Sequence, residues 1–296
     1  MMQRQKSFEE DGGALYIVGT PIGNLGDASE RVRETLAMVD FVACEDTRHT
    51  KKLFSHWGFS KPTVSYHEHN RHRRGLELVN RMVQGERIAL VSDAGMPGLS
   101  DPGSDLVKEA VDQGVPVIPI PGPNAAFTAV VASGIPPQPC LFIGFLPRQS
   151  KERKKELTKW EEVPATLLFY ESPHRIKETL ADMVKVLGDR DATIARELTK
   201  KHEEWLRGTL TECVQWFEEE TPRGEMTVIV AGKTMQLDTD EKAAEPEEWW
   251  RALTPIEHVE WYIRRGKSKK EAIQETALSR SLPKREVYNA YHRDQE

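Results

Sequence analysis

Three loops of small and rigid residues carry the side chains best suited to bind a ligand. They read GTPIGNLGD, SDAGMPGLSDPG and PGPNAA, and the last two contain Asp93, Asp101 and Asn124. Glycine and proline free or fix the backbone where larger side chains would block a bulky ligand. Each loop alone could be an ordinary turn. Together they predict a rigid cleft that binds through backbone groups, with the three polar side chains orienting polar parts of the ligand.

The first loop differs from the common phosphate-binding loops. Gly19, Gly23 and Gly26 lack the spacing of a Rossmann fingerprint, and Pro21 interrupts the turn. The Gly-Lys-Ser or Gly-Lys-Thr sequence of a P-loop does not follow. These motifs therefore give no indication of a dinucleotide or nucleoside triphosphate site.

The elements that must position these loops alternate between apolar strands and amphipathic helices. Within residues 13–122 the predicted strands are LYIVG, FVACE, TVSY, IALVS and VPVIPI. Alternation of this period predicts an α/β fold with a parallel, doubly wound sheet, which binds ligands beyond the carboxyl ends of its strands. Helices are expected from near Asp27, with Glu30 completing a capping box, and from Thr50 to Trp57.

Residues 123–233 predict a second α/β domain whose sheet is mixed. Its strands are expected at CLFIGF, TLLFYE, ATIARE and MTVIVAG, after a small-residue helix from Asn124 to Ala132. The order of strands and helices differs from that of the first domain, which favours a sheet with both parallel and antiparallel strands.

Two oppositely charged segments follow. Residues 234–250 hold six acids and one lysine, and predict an acidic linker. Residues 251–296 predict a small basic helical module, because ten Lys and Arg residues stand against five acids between positions 251 and 293. Ser268 and Glu271 have the capping-box spacing, and Pro283 suits the first turn of a helix. Three short helices in this order resemble a helix-turn-helix.

Composition sets the broad class of the protein. The net charge of −6 gives no global reason to bind nucleic acid, so any such partner must meet a local basic surface. Three cysteines without metal-ligand spacing, and a start without an apolar core, predict a cytoplasmic protein with no zinc site. Residues 115–147 carry no charge, but eight prolines would break a membrane-spanning helix, and we expect none.

Six motifs in sequence order give the chain a specific family resemblance. GTPIGNLGD, ACEDTRHTKKL, SDAGMPGLSDPG, PGPNAA, FYESPHR and RELTKKHEE resemble the small-subunit ribosomal RNA methyltransferases, in the tetrapyrrole-methylase-like class. The resemblance implies a homodimer with S-adenosylmethionine in the cleft between two α/β domains. It implies methyl transfer to the ribose 2′-hydroxyl of a cytidine in 16S ribosomal RNA. The substrate would be either the free RNA or the small ribosomal subunit. The residues that it assigns to the cofactor are Pro21, Asp93, Ala94, Gly95, Met96, Asn124 and Ala125.

Three polar segments carry candidates for the chemistry of this reaction. A ribose hydroxyl is a poor nucleophile, so a base, or a cation that stabilises the alkoxide, should accelerate its attack. The catalytic candidates are Glu45, Arg48, Glu171, Arg196 and Glu197. We expect Arg48, Arg175 and Arg196 to hold RNA phosphates. Glu45 or Glu197 is expected near the hydroxyl, and a plain helix-capping role stays open for the segments that contain Glu45 and Glu171.

Further RNA contacts are predicted in basic surface segments. The segment SYHEHNRHRR could contact the RNA backbone and an unstacked nucleotide, or be a solvated loop, and metal binding there is not expected. The C-terminal module could read DNA, dock on ribosomal RNA or only stabilise the fold, and we favour docking. The RNA-binding candidates are Arg48, His67, Asn70, His174, Arg175, Lys200, Lys267, Lys269, Lys270 and Arg285.

Two other functions fit parts of the sequence. A tetrapyrrole C-methyltransferase would share the fold, but would need a broad trough for a planar ligand and no basic tail. A ligand-sensing helix-turn-helix regulator would leave Arg48, Arg175 and Arg196 unexplained beside the cleft. The basic tail and these arginines therefore favour an RNA substrate.

Overall fold

The computed structural model describes residues 4–7, 12–233 and 249–293. The chain separates into two compact units, Met1–Thr234 and Met235–Glu296, which we call the N-terminal unit and the C-terminal unit. The N-terminal unit contains two five-stranded sheets. The C-terminal unit is helical over its described residues.

The first sheet is parallel throughout and places the three loops at one edge. Its strands are β1 (Ala14–Val18), β2 (Phe41–Cys44), β3 (Thr63–Ser65), β4 (Arg87–Val91) and β5 (Val117–Ile120), in the spatial order β3-β2-β4-β1-β5. β1 and β4 lie side by side, and their connections leave in opposite directions, from β1 towards β2 and from β4 towards β5. The carboxyl ends of these two strands therefore form the switch point at which such sheets bind ligands.

Helices cover both faces of the first sheet. They are α1 (Glu30–Met38), α2 (Thr47–His56), α3 (Arg71–Val83) and α4 (Gly103–Asp112). Val18 of β1 packs with Leu36 and Phe54 on one face, whereas Leu15 packs with Leu78 on the other. Because both faces are buried, the strands are apolar at nearly every position. The predicted doubly wound parallel sheet is confirmed.

The second sheet is mixed, as predicted. Its strands are β6 (Cys140–Phe145), β7 (Thr166–Glu171), β8 (Asp191–Arg196), β9 (Glu204–Thr209) and β10 (Met226–Val230), in the order β6-β7-β10-β8-β9. Among the strand pairs that the structure describes in this sheet, only β6–β7 is parallel. The edge strand β9 was not predicted, because its sequence EWLRGT contains two charged residues and gives no apolar run. In the structure its residues are mostly half-buried.

Helices also cover both faces of the second sheet. They are α5 (Ala125–Ser133), α6 (Ser150–Thr158), α7 (Ile176–Leu187) and α8 (Leu210–Glu219). On one face Ala126 and Val130 of α5 pack against Leu168 of β7. On the other face Phe169 of β7 packs with residues of α6, α7 and α8, including Leu180. Because α5 directly follows β5, it joins the two sheets at the end of the third loop.

Two helix starts differ from the sequence prediction because other residues cap them. Helix α1 begins at Glu30, since the Ser29 side chain accepts a hydrogen bond from the amide three residues on. Glu30 is therefore the first helical residue, whereas a capping-box glutamate is the third. Helix α2 begins at Thr47, three residues early, because the Asp46 side chain accepts a hydrogen bond from the amide two residues on.

The C-terminal unit contains the three helices expected from the sequence. They are α9 (Pro255–Arg264), α10 (Lys269–Ser279) and α11 (Lys284–Arg293), after a short 3-10 turn at Trp249–Ala252. Ser268 and Glu271 form the predicted capping box of α10. The core includes Val259, Ile273 and Val287. The predicted acidic linker lies outside the described residues, except for its last two positions.

None of the helices within residues 4–7, 12–233 and 249–293 combines the length and the apolar character needed to cross a membrane.

Candidate active site

Direct backbone contacts join the three predicted ligand loops. Thr20, after β1, and Gly95, after β4, exchange two backbone hydrogen bonds of 3.0 Å. Gly19 and Gly122 bring the loops after β1 and β5 so close that a Cβ on Gly122 would lie 2.6 Å from the Gly19 Cα. Gly95 has a φ of +81°, a conformation that favours glycine. The small residues therefore allow the backbones of these loops to come into contact.

A cavity of about 350 Å³ opens beside the joined loops. Its wall combines loops of the first sheet with residues from the strand ends of the second sheet. Such a volume and a largely apolar wall with a few polar groups are typical of a small-molecule site. The wall residues are Ile22, Glu45, Ser92, Asp93, Ala94, Gly95, Met96, Leu99, Ser100, Asp101, Asn124, Ala125, Phe145, Tyr170, Glu171, Ser172, Pro173, Ala195, Leu198, Glu225, Met226 and Thr227.

Six of the seven predicted cofactor residues lie on this wall. They are Asp93, Ala94, Gly95, Met96, Asn124 and Ala125. Pro21 is not among the wall residues, but the next residue, Ile22, is. Asn124 caps α5 by accepting a hydrogen bond from the Phe127 amide at 3.0 Å. Asp93 accepts one from the Asp46 amide at 3.2 Å, which ties the loop after β4 to the loop after β2.

Glu45, Asp93 and Asp101 form an acidic group on the cavity wall. The Oδ1 atom of Asp101 accepts hydrogen bonds from the amides of Gly98 (2.7 Å) and Gly103 (2.9 Å), which fixes its loop. Burial raises the pKa of Glu45, and the negative charges of Asp93 and Asp101 raise it further. The group therefore provides a negative field and one carboxyl that holds a proton more readily than usual.

Glu171 lies on the wall but is buried and hydrogen-bonded within the protein. It is 2% exposed and accepts hydrogen bonds from the Thr179 hydroxyl at 2.7 Å and the Ser172 amide at 2.8 Å. Arg175 pairs with it at 3.3 Å and donates to the carbonyl of Leu146 at 2.8 Å. Both side chains therefore stabilise the wall of the cavity through contacts within the protein.

The predicted group Arg196, Glu197 and Lys200 lies off the cavity wall. Arg196 pairs with Glu204 at 2.9 Å. The Glu197 Oε1 atom accepts hydrogen bonds from the Lys200 ammonium at 2.8 Å and the Glu225 amide at 2.9 Å. Burial opposes ionisation of Glu197, but these hydrogen bonds outweigh it and lower the pKa of the carboxyl. The carboxylate of Glu197 thus anchors the loop that carries Glu225.

The structure does not bring Arg48, His67 and Asn70 onto the cavity wall. The Arg48 side chain is 87% exposed and pairs with Asp46 at 2.9 Å. Asn70 accepts a hydrogen bond from the His67 amide at 2.9 Å and donates to the Ser65 carbonyl at 3.1 Å. Asn70 therefore stabilises its own turn, while Arg48 extends into solvent from the first turn of α2.

The remaining predicted RNA contacts lie in two places. His174 lies beside the cavity, on an open depression that shares Phe145, Glu171 and Ser172 with it. In the C-terminal unit, Lys270 and Arg285 are exposed. Lys267 pairs with Glu275 at 3.1 Å, and Lys269 lies 4.8 Å from the centre of the Tyr291 ring.

Sequence reasoning missed most wall residues of the second sheet. The Tyr170 hydroxyl accepts a hydrogen bond from the Ala126 amide at 3.2 Å, and burial raises the pKa of this hydroxyl. Phe145 ends β6, and Met226 and Thr227 begin β10. An aromatic residue at the end of an apolar strand was visible in the sequence. Its placement at the cavity was not, because that depends on how the two sheets face each other.

The residues present fit the cofactor that the sequence resemblance implies. S-adenosylmethionine carries a positive sulfonium and ammonium, and the acidic group of Glu45, Asp93 and Asp101 would attract both. Apolar wall residues such as Ile22 and Leu198 suit its adenosyl part. A Cβ on Gly95 would lie 3.2 Å from the Pro123 carbonyl oxygen, so the space beside Gly95 suits a backbone without a side chain.

Comparison with known proteins gives a consistent family assignment by sequence. The family model described as Tetrapyrrole (Corrin/Porphyrin) Methylases matches residues 14–214. A protein of Halalkalibacterium halodurans named ribosomal RNA small subunit methyltransferase I is 51% identical over 296 residues, covering 99% of this chain and 100% of that protein. Proteins of the same name from Bacillus subtilis and Synechocystis are 51% and 42% identical, over 99% and 93% of this chain and 99% and 96% of theirs.

Solved structures share the fold of this chain at low sequence identity. A diphthine synthase aligns with a TM-score of 0.58 and 17% identity, over 75% of this chain and 90% of that one. A uroporphyrin-III C-methyltransferase from Thermus thermophilus, complexed with S-adenosylhomocysteine, aligns with a TM-score of 0.52 and 18% identity, over 73% and 97%. At this level of identity the likeness concerns the fold alone.

Proposed function

We propose that the chain, a member of the family of Tetrapyrrole (Corrin/Porphyrin) Methylases, methylates small-subunit ribosomal RNA with S-adenosylmethionine. Within that family, it is similar in sequence to proteins named ribosomal RNA small subunit methyltransferase I. The observation that carries this proposal is 51% identity over 99% of the chain to a relative of that name. The joined loops and the cavity beside them support it independently.

The six wall residues of the first sheet and its third loop would hold the cofactor. They are Asp93, Ala94, Gly95, Met96, Asn124 and Ala125. Pro21 would contribute by shaping its loop, which the bridge between Thr20 and Gly95 fixes. When bound, S-adenosylmethionine supplies a methyl group on a positively charged sulfur. The rigid loops would fix its orientation, and positioning can account for much of the barrier reduction in such a displacement.

The acceptor is, in our proposal, the ribose 2′-hydroxyl of a cytidine in 16S ribosomal RNA. Glu45 is the preferred proton acceptor, since it lies on the wall and its pKa is raised above the usual value of a glutamate. Glu197 is the weaker candidate because its carboxylate already accepts two hydrogen bonds. Arg48 and Arg196 would contact phosphate or stabilise developing charge. Glu171 and Arg175 would stabilise the cavity wall through their ion pair.

The proposed partners are 16S ribosomal RNA or the small ribosomal subunit, and a second copy of the chain. The reaction would take place in the cytoplasm, where ribosomes are assembled. His67, Asn70, His174, Lys200 and the basic residues of the C-terminal unit would contact RNA. Static light scattering of the purified protein tests the dimer, which requires twice the mass of 33.7 kDa.

Methyl transfer from labelled S-adenosylmethionine tests the function directly. The purified protein is incubated with small ribosomal subunits, with 16S ribosomal RNA, or with uroporphyrinogen III. We expect label in small-subunit RNA, recovered after nuclease digestion as 2′-O-methylcytidine. Label in uroporphyrinogen III alone would favour a tetrapyrrole methyltransferase. Label in none of the acceptors would contradict the proposed function.

A further inference from the structure

An exposed aromatic ring, Phe145, lies where the active-site cavity meets a second, open depression. Phe145 is the last residue of β6 and is 57% exposed. It lines both the cavity and the depression, which is otherwise formed by residues 146–148, 171, 172, 174 and 175. A large apolar side chain that stays exposed to water does not contribute the free energy of folding that its burial would give. Its position beside the site therefore calls for a functional explanation.

A bulge in β6 directs this ring towards the cavity. Phe142 and Phe145 both lie beside Tyr170, with ring centres 5.0 Å and 5.6 Å from it. In a regular strand, residues three apart point to opposite faces. The register with β7 shifts between Phe142 and Gly144, so one extra residue returns Phe145 to the face of Tyr170. Such bulges are frequent beside active sites, where they redirect a side chain.

The bulge lies close to a loop of the first sheet. Gly144 has a φ of +77°, which favours glycine. A Cβ at this position would lie 3.0 Å from the Ser100 hydroxyl, in the loop after β4. The strand therefore passes the loop after β4 at close range, and the ring of the next residue, Phe145, lies beside this approach.

The backbone after Phe145 is held by two arginines. Arg153, buried and paired with Asp182 at 2.7 Å, donates to the carbonyl of Arg148 at 3.0 Å. Arg175 donates to the carbonyls of Leu146 at 2.8 Å and Pro147 at 3.1 Å. Three successive carbonyls are thus held by guanidinium groups. The side chains of Arg148 and His174 remain exposed on the depression.

We propose that Phe145 stacks against the base of the acceptor nucleotide and so presents its ribose to the cofactor cavity. This inference rests on the proposed function. The base is bonded to C1′, next to the C2′ carbon that bears the reacting hydroxyl, so a ribose that enters the cavity leaves its base at the cavity edge. Proteins commonly hold such unstacked bases on aromatic rings. Arg148 and His174 would contact the flanking phosphates.

Substitution of Phe145 tests this role by steady-state kinetics on small-subunit RNA. For Phe145→Ala we expect kcat/KM for the RNA acceptor to fall by about 5- to 160-fold, the range that loss of one base–aromatic stack gives. Phe145→Leu, which keeps an apolar side chain without a ring, should lose as much. Phe145→Tyr and Phe145→Trp should retain most of the wild-type value. Affinity for S-adenosylhomocysteine, measured by calorimetry, should not change.

The matched control is Phe127→Ala, because Phe127 is 49% exposed and lines neither the cavity nor the depression. It should methylate RNA at the wild-type kcat/KM. Wild-type kinetics for Phe145→Ala would overturn the inference, as would loss of cofactor affinity or a changed mass in solution, since either would assign the ring to another contact. Wild-type protein that methylates no ribosomal RNA would instead contradict the proposed function itself.

Discussion

Three carboxylates near the cavity, those of Glu45, Glu171 and Glu197, differ in how available they are for proton transfer. Glu171 accepts hydrogen bonds inside the protein on both carboxylate oxygens, and the Glu197 Oε1 atom accepts two. Glu45 lies on the cavity wall, and the negative charges of Asp93 and Asp101 add to burial in raising its pKa. A base is most effective when its pKa is near the working pH. This comparison selects Glu45.

We expect methylation by the wild-type protein to fall as the pH is lowered through the raised pKa of Glu45. A general base acts in its ionised form, and burial with the two neighbouring charges extends protonation to higher pH. Glu45→Gln should lower kcat about 100-fold or more and remove this limb of the profile, which pH-dependent initial rates measure.

Asp101→Asn provides the internal control for that pH profile. It keeps an oxygen that can accept from the amides of Gly98 and Gly103, but removes a negative charge that raises the pKa of Glu45. The acidic limb should therefore move to lower pH. If Glu45→Gln retains wild-type kcat and pH dependence, Glu45 is not the proton acceptor.

At the scale of elements, the loops form a site only because they touch through glycines. Gly122→Ala would place a Cβ 2.6 Å from the Gly19 Cα, where backbone on both sides cannot move aside cheaply. We expect this substitution to weaken S-adenosylhomocysteine binding at least tenfold in a calorimetric titration. Gly12→Ala is the control, because a Cβ there meets nothing within 4 Å. Equal affinity of both variants would contradict the role of loop contact.

A buried histidine couples the stability of the C-terminal unit to pH. His258 is 0% exposed, stacks between the rings of Trp250 and Tyr262, and accepts a hydrogen bond from Arg280 at 3.1 Å. Burial, and then the charge of Arg280, lower the pKa of His258 to about 4. Between pH 6.5 and 4 the unfolded chain therefore binds more protons than the folded chain. Stability is complete above that range and declines as the pH falls through it.

Differential scanning calorimetry of the whole chain at pH 7.5 and pH 5.0 checks this coupling. The transition of the C-terminal unit should move to lower temperature at pH 5.0 in the wild-type protein. In His258→Gln the difference between the two pH values should be smaller. His202→Gln, which changes an exposed histidine, should keep the wild-type difference. An equal pH difference in His258→Gln would rule out titration of His258 as the cause.

The elements also explain what could be predicted from sequence and what could not. Apolar runs ending in glycine and proline are local signals, so the strands and ligand loops were predictable. The direction of Phe145 was not, because it depends on a bulge that pairing with β7 creates. The sequence also did not show that the Glu197 carboxylate accepts a hydrogen bond within the protein, since the donor, the Glu225 amide, is distant in sequence. Residue types revealed the candidates, and tertiary partners decided among them.

At the scale of the whole molecule, a protein of net charge −6 must bind RNA through local basic groups. Lys270 and Arg285 are exposed on the C-terminal unit, whereas Lys267 pairs with Glu275. We expect the double variant Lys270→Gln and Arg285→Gln to reduce the slope of log K against log salt by about two, since each phosphate contact contributes about one. Filter binding of small-subunit RNA at several salt concentrations measures this slope.

The matched control replaces two exposed lysines of α6. Lys151→Gln with Lys155→Gln removes the same charge from the N-terminal unit, where the side chains are solvated. Its salt slope should equal that of the wild-type protein. An unchanged slope in the Lys270 and Arg285 variant would remove these residues from the RNA-binding surface.

Binding of the methyl donor to the cavity is tested by calorimetric titration of the whole chain with S-adenosylmethionine and S-adenosylhomocysteine at two temperatures. Two temperatures are needed because the heat of binding can vanish at one of them, while burial of apolar surface changes it with temperature. We predict saturable binding of one molecule per chain, weakened by Asp93→Ala, which removes a carboxylate from the cavity wall. Absence of binding heat at both temperatures, in a correctly folded protein, would contradict the assignment of this cavity to a methyl donor.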